Sequence, residues 1–137
     1  MTEMTDDKEF YGGIITDEQK ETLKKALELK NRMIDVLIDK SFKEKKQNAY
    51  NTIVLYLKVD IQICEALIRM DVSSKESVET EFHNIMDYIE NSVQPKNMNL
   101  YVDLLTDEEK QLEADTAKIM MHIQRVMLGR YYNMVRN

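Results

Sequence analysis

The chain has 137 residues with a formal net charge of −6 and 43% hydrophobic residues, and it contains only three glycines and one proline. This composition favours a single, mostly helical domain, and the lone cysteine, Cys64, excludes an intramolecular disulfide and favours a reducing, cytoplasmic location. The acidic balance argues against a dedicated nucleic-acid binder, and no apolar run approaches the roughly 18 residues that a membrane span requires.

The first 13 residues are polar and acidic, and we expect them to form a flexible acidic N-terminal tail. Thr16 and Gln19 then have the spacing of a capping box, in which the Thr hydroxyl accepts from a helical N–H and the Gln amide reaches back. Helix one should follow, from Asp17 to about Lys40. Its spacing predicts a buried face made of Leu23, Ala26, Leu27, Met33, Ile34 and Leu37.

Residues 50–70 are apolar on two sides when they are placed on a helix. One stripe consists of Tyr50, Ile53, Val54, Leu57, Ile61, Cys64 and Ile68. The opposite stripe consists of Leu55, Val59, Ile63, Ala66 and Met70. A helix with two apolar faces needs cover on several sides, so helix two, from about Gln47 to Met70, should be the central helix of a bundle or of an oligomer.

The same stretch also supports a strand. Residues 53–63 alternate strictly between two sets of side chains and are rich in β-branched residues. A strand needs a partner, and the only other alternating run is at residues 98–104. Helix is favoured because the apolar pattern continues without a breaker to Met70. The alternative is an α+β fold with strands near 53–63 and 98–104.

Two further helices follow. Ser73 and Glu76 have capping-box spacing before helix three, which should run from about Lys75 to Asn91, and Pro95 prevents its continuation. Residues 96–105 could form a loop, a short strand or a helical turn. Thr106 and Glu109 form a third capping box, and helix four should then extend from Asp107 to near Met134.

The three capping boxes and the break near residues 41–48 divide the chain into four helices of unequal length. Short connections make neighbouring helices antiparallel. We therefore predict an all-α, four-helix bundle-like single domain over residues 14–137, with long second and fourth helices.

The sequence carries no convincing catalytic, cofactor or metal motif. Glu79, His83 and Asp87 are spaced like metal ligands along helix three, but a solvated polar face explains them better. Cys64 belongs to an apolar stripe, where burial disfavours the reactive thiolate. Asp60 could be an acid with a perturbed pKa, although a boundary aspartate paired with a lysine is the preferred interpretation. We therefore predict a non-enzymatic protein without cofactors.

The last helix carries the most informative surface. Arginine, tyrosine and methionine are enriched where proteins meet, and an apolar stripe there has no obvious partner within the chain. The predicted partner interface consists of Met121, Arg125, Leu128, Arg130, Tyr132, Val135 and Arg136. Possible phosphate contacts are Lys118, Arg125, Arg130 and Arg136, with neighbouring tyrosines available for stacking.

These features predict a helical interaction module that associates with copies of itself, as a dimer or a larger oligomer, and binds another macromolecule of unknown identity. A nucleic-acid or phosphate-ligand binder using the basic, tyrosine-containing face is the second hypothesis, and no membrane partner is expected. A short, acidic chain without motifs is also typical of viral or mobile-element accessory and inhibitor proteins, which would place it in the host cytoplasm.

Overall fold

Five α-helices follow one another along the part of the chain that the computed structural model describes, residues 14–136, with side chains described for residues 14–129. They are α1 (Asp17–Lys43), α2 (Gln47–Arg69), α3 (Lys75–Glu90), α4 (Asn99–Val102) and α5 (Asp107–Arg136). The predicted flexible tail at residues 1–13 lies outside the described residues.

The all-α prediction is confirmed, and the strand alternative is wrong for the residues that the structure describes. Residues 53–63 lie wholly inside α2, and the one-turn helix α4 occupies part of the second alternating run. No strand occurs between residues 14 and 136. The four long helices match the predicted four, and α4 is an additional turn in the connection between α3 and α5.

Hydrogen bonds at the helix starts explain where these helices begin. The Thr16 hydroxyl accepts from the N–H of Gln19, whose side-chain oxygen accepts from the N–H of Thr16. Thr106 and Glu109 make the same reciprocal pair before α5. The predicted box of Ser73 and Glu76 is wrong: Ser73 donates to the Asp71 carboxylate, and α3 is capped by Ser74, whose hydroxyl accepts from the N–H of Ser77.

Helices α1 and α2 form an antiparallel hairpin joined by a tight turn at residues 44–46. Lys45 has a φ of 56°, a left-handed conformation that reverses the chain direction over three residues. The Tyr50 hydroxyl donates to the Glu44 carboxylate beside this turn. The two helices then share a core near the turn, which includes Leu37, Ile53, Leu57, Tyr101 and Leu105.

A second core lies at the other end of the hairpin. Helices α3 and α5 cover it, and its buried members include Ile14, Leu23, Cys64, Leu67, Met70, Val78, Ile85, Ile123 and Met127. Arg69 at the end of α2 makes two hydrogen bonds, of 3.0 and 2.9 Å, to the carboxylate of Glu81 on α3. Lys20 on α1 donates to the carbonyl of Met70 at 2.6 Å, which joins α1 to the end of α2.

The prediction that α2 is covered on several sides holds over only part of its length. Ile63, Ala66 and Met70 on its second stripe are buried against α3 and neighbouring residues. Leu55, on the same stripe near the α1–α2 turn, is 53% exposed. Near the α1–α2 turn, this apolar stripe of α2 is therefore left uncovered. Within the described residues, no helix combines the length and apolar character needed to cross a bilayer.

Candidate functional site

A cleft of about 550 Å³ separates α5 from α2 at the middle of the fold. Lys30 of α1 and Asp60 of α2 contribute to its lining, Glu113 of α5 faces it, and the connection after α3 closes one side with Gln94 and Met98. Its apolar lining includes Ile63, Ile89, Ala117, Met120 and Met121. We call this cavity the central cleft. Its volume falls in the usual range for small-ligand sites, and a few polar groups converge on it.

Lys30 is the most buried charged residue in the cleft. Its side chain is 2% exposed, and its Nζ lies 2.5 Å from Glu113 Oε1 and 3.9 Å from Asp60 Oδ2. Burial of an ammonium group is strongly unfavourable unless carboxylates compensate it. The Lys30–Glu113 pair therefore connects α1 to α5 through a charge-assisted hydrogen bond, whereas the distance to Asp60 is too long for one.

Asp60 is a carboxylate in a poorly solvated position, with a side chain that is 18% exposed. Burial raises the pKa of this carboxyl from 3.8 to about 6, the Lys30 ammonium opposes the rise, and the Glu113 carboxylate adds to it. The sequence analysis preferred an aspartate paired with a lysine over an acid with a perturbed pKa; Lys30 lies 3.9 Å from Asp60, and burial raises the pKa of the same carboxyl.

Aromatic and thiol groups surround these charges. Burial raises the pKa of Tyr101 and of Tyr56, and the negative charges of Asp60 and Glu113 add to both shifts. The Tyr101 hydroxyl is buried and has no hydrogen-bond partner of good geometry within residues 14–129. Cys64 is buried as predicted, and burial raises its pKa to about 12, so the unreactive thiol dominates at neutral pH.

Lys30 was not singled out from the sequence, although a signal for it exists. It lies at a core position of α1, with Leu23, Ala26, Met33 and Leu37 at helical spacing around it. A charged residue within an apolar stripe needs a partner of opposite charge. The identity of Glu113 could not be deduced, because it is 83 residues away in the chain.

A second surface is apolar and lies on the outer face of the hairpin. Ile38 and Phe42 of α1 and Leu55 of α2 are exposed there, with Phe42 66% exposed. Two adjoining depressions, of about 730 and 440 Å³, share Leu55 and Lys58. We call this surface the α1–α2 groove. It shares no lining residue with the central cleft, and the prediction from sequence missed its residues on α1.

The predicted interface on the last helix is partly described. Met121 is 54% and Leu128 48% exposed, and Lys118 and Arg125 are exposed as well. Neither Lys118 nor Arg125 forms an ion pair with a residue in the range 14–129. The remaining predicted residues lie in α5, but their side chains are outside the described part of the structure: Arg130, Tyr132, Val135 and Arg136.

The residues considered as metal ligands do not form a described metal site. His83 and Asp87 are exposed and Glu79 is half-buried along the polar face of α3. Across the part of the chain with described side chains, no three or more histidine, cysteine, aspartate or glutamate residues are grouped to hold a metal ion. Comparisons with protein-family models, with curated proteins and with solved structures found no match for this chain.

Proposed function

We propose that this protein is a non-enzymatic interaction module that self-associates through the α1–α2 groove. The observation that carries the proposal is a set of exposed large apolar side chains from two helices that line one depression: Ile38, Phe42 and Leu55. Contiguous apolar surface of this kind is typical of protein interaction sites. Burying these side chains between two copies would supply the hydrophobic driving force for association.

The charges of the groove favour a second copy as the occupant. Asp35 of α1 and Lys58 of α2 line the same depression, and neither forms an ion pair with another described residue. A two-fold axis parallel to the hairpin would place α1 of one copy against α2 of the other, with Asp35 near the partner's Lys58. One surface would then be complementary to itself, as a two-fold interface requires.

Light scattering coupled to size-exclusion chromatography tests this proposal over a range of protein concentrations. Leu55→Asp and Phe42→Asp should shift the protein to the monomer, because each places a charge in the apolar contact. Val102→Asp, at an exposed apolar residue outside the groove, is the matched control and should leave association unchanged. A wild-type protein that stays monomeric at every concentration would refute self-association.

A charge exchange makes the test specific for the two-fold arrangement. Asp35→Lys or Lys58→Asp alone should weaken the dimer, because like charges would face each other across the interface. The double variant should recover at least half of the lost association free energy. If the double variant did not recover association, Asp35 and Lys58 would not face each other across the interface. Met121→Asp and Leu128→Asp then test the α5 face predicted from the sequence.

The exposed basic residues of α5 support a second candidate function. Lys118 and Arg125 are exposed without a described ion-pair partner, which leaves both available to phosphates. Fluorescence anisotropy with a labelled single-stranded oligonucleotide should then show binding that weakens steeply with salt, and the Lys118→Glu/Arg125→Glu variant should lose it. No binding at low salt would eliminate this candidate.

A further inference from the structure

We propose that the central cleft binds a small organic cation with an apolar body, such as an arylalkylammonium ion, through the carboxylate of Asp60. This binding site is separate from the α1–α2 groove, because no residue lines both. The inference rests on three features of the cleft: its size, its balance of charges and the incomplete pairing of Asp60.

The size and lining of the cleft suit a small, partly apolar ligand. A volume of about 550 Å³ accommodates a molecule with an aromatic ring and a short alkyl chain. Methionine side chains from two elements, Met98 before α4 and Met120 on α5, line the walls with Ile63 and Ile89. Methionine adapts its shape to different apolar ligands and contacts aromatic rings favourably.

The charges of the cleft favour a cation over an anion. Two carboxylates, Asp60 and Glu113, face a single ammonium group, that of Lys30, so the three residues carry a formal charge of −1 when ionised. Lys30 lies 2.5 Å from Glu113, and this pair leaves the charge of Asp60 only partly compensated. A bound ammonium would supply the missing charge, whereas an anion would add a second uncompensated one.

Asp60 is the group with free acceptor capacity. Its oxygens accept no hydrogen bond from a residue in the range 14–129, and the nearest cation, Lys30, is 3.9 Å away. A poorly solvated carboxylate without a donor is an unfavourable arrangement that a ligand N–H relieves directly. Tyr56 lines the cleft beside Asp60, and its aromatic ring offers a second favourable surface to a cation.

Isothermal titration calorimetry with matched probes tests the inference on the full chain. The probes are phenethylamine, the neutral 2-phenylethanol and the anionic 3-phenylpropionate, which share a ring and differ in charge. At pH 8 the Asp60 carboxyl, with a pKa of about 6, is ionised, whereas the raised pKa values of Tyr56 and Tyr101 keep both phenols protonated. We expect phenethylamine to bind at least about tenfold more tightly than either analogue.

Two variants locate the binding site. Asp60→Asn keeps the shape of the side chain and should weaken phenethylamine binding at least about tenfold, while Glu65→Gln, on the exposed face of the same helix, should not. Ala117→Phe should block the cleft for every probe, with circular dichroism confirming the fold. Equal binding of the three probes, retention of binding in Asp60→Asn, or no binding up to about 10 mM would each overturn the inference.

Discussion

The buried ammonium of Lys30 gives the sharpest prediction at the scale of single residues. Lys30→Met should lower the free energy of unfolding by about 3–5 kcal/mol, because it leaves the Glu113 and Asp60 carboxylates beside an apolar side chain. Urea denaturation followed by circular dichroism measures this loss. Lys24→Met is the matched control, since Lys24 pairs with Glu21 on the exposed face and should contribute less than about 0.5 kcal/mol.

A further variant separates charge from packing at this position. If uncompensated carboxylates cause the loss, Lys30→Met/Glu113→Gln should be at least about 1 kcal/mol more stable than Lys30→Met alone. Equal stability of the two variants would instead assign the loss to the packing of the Lys30 alkyl chain.

The raised pKa of Asp60 predicts a stability change that depends on pH. An acid with a higher pKa in the folded state than in the unfolded state favours folding below the unfolded value of 3.8, and this contribution is lost as pH rises through about 6. Asp60→Asn should therefore raise the free energy of unfolding at pH 8 by ~1–3 kcal/mol, and this gain should shrink toward zero near pH 4.

Denaturation of both proteins at several pH values measures the difference. A gain that is the same at pH 4 and pH 8 would contradict the assignment of the shift to Asp60.

At the scale of helices, only one of two neighbouring serines caps the start of α3. The Ser74 hydroxyl accepts from the N–H of Ser77 at 3.2 Å, whereas Ser73 is exposed and donates to Asp71. Ser74→Ala should lower the free energy of unfolding by about 1 kcal/mol, and Ser73→Ala by less than about 0.5 kcal/mol. Thermal denaturation ranks the two variants, and a larger effect at Ser73 would restore the cap position predicted from the sequence.

The helices were largely predictable, and their exceptions have physical causes. Capping boxes depend on neighbours three residues apart, so Thr16 and Thr106 could be recognised without tertiary information. Two adjacent serines compete for one cap, and the choice of Ser74 depends on backbone geometry. The turn at Lys45 was also hidden, because glycine is the residue that normally adopts its left-handed conformation.

The strand alternative arose because residues 53–63 of α2 are nearly all apolar. A run such as residues 53–63 fits both a period of two and a period of 3.6 when nearly every position is apolar. Burial separates the two patterns: Ile53, Leu57, Ile61 and Cys64 are buried at helical spacing. Exposed Leu55 lies between two of them, as a helix with one uncovered side requires.

At the scale of the molecule, the site was less predictable than the fold. The central cleft combines residues from α1, α2, α3, α5 and the connection after α3, so no local motif marks it. Sequence reasoning identified Asp60 and Cys64 because each can be evaluated within one helix. The pairing of Lys30 with Glu113 depends on how two helices that are distant in the chain pack together, and no pattern within a single sequence reveals that packing.

Two leucines of α2 should have different roles, one in the stability of the fold and the other in the proposed self-association. Leu57 is fully buried between α1 and α2, whereas Leu55, two residues earlier, is 53% exposed in the α1–α2 groove. Leu57→Ala should lower the monomer's free energy of unfolding by about 2–5 kcal/mol, through lost burial and the cavity it leaves. Leu55→Ala should cost less than about 1 kcal/mol, since the side chain already contacts water.

Association should respond in the opposite order. Leu55→Ala should weaken dimerisation in sedimentation equilibrium, while Leu57→Ala, measured under conditions where it is fully folded, should dimerise like the wild type. The melting temperature of the wild type should also rise with protein concentration, because binding between folded copies stabilises them by mass action, and Leu55→Ala should reduce this dependence. Equal losses of stability in the two variants would mean that the groove is covered within one molecule, and the argument for a second copy would fail.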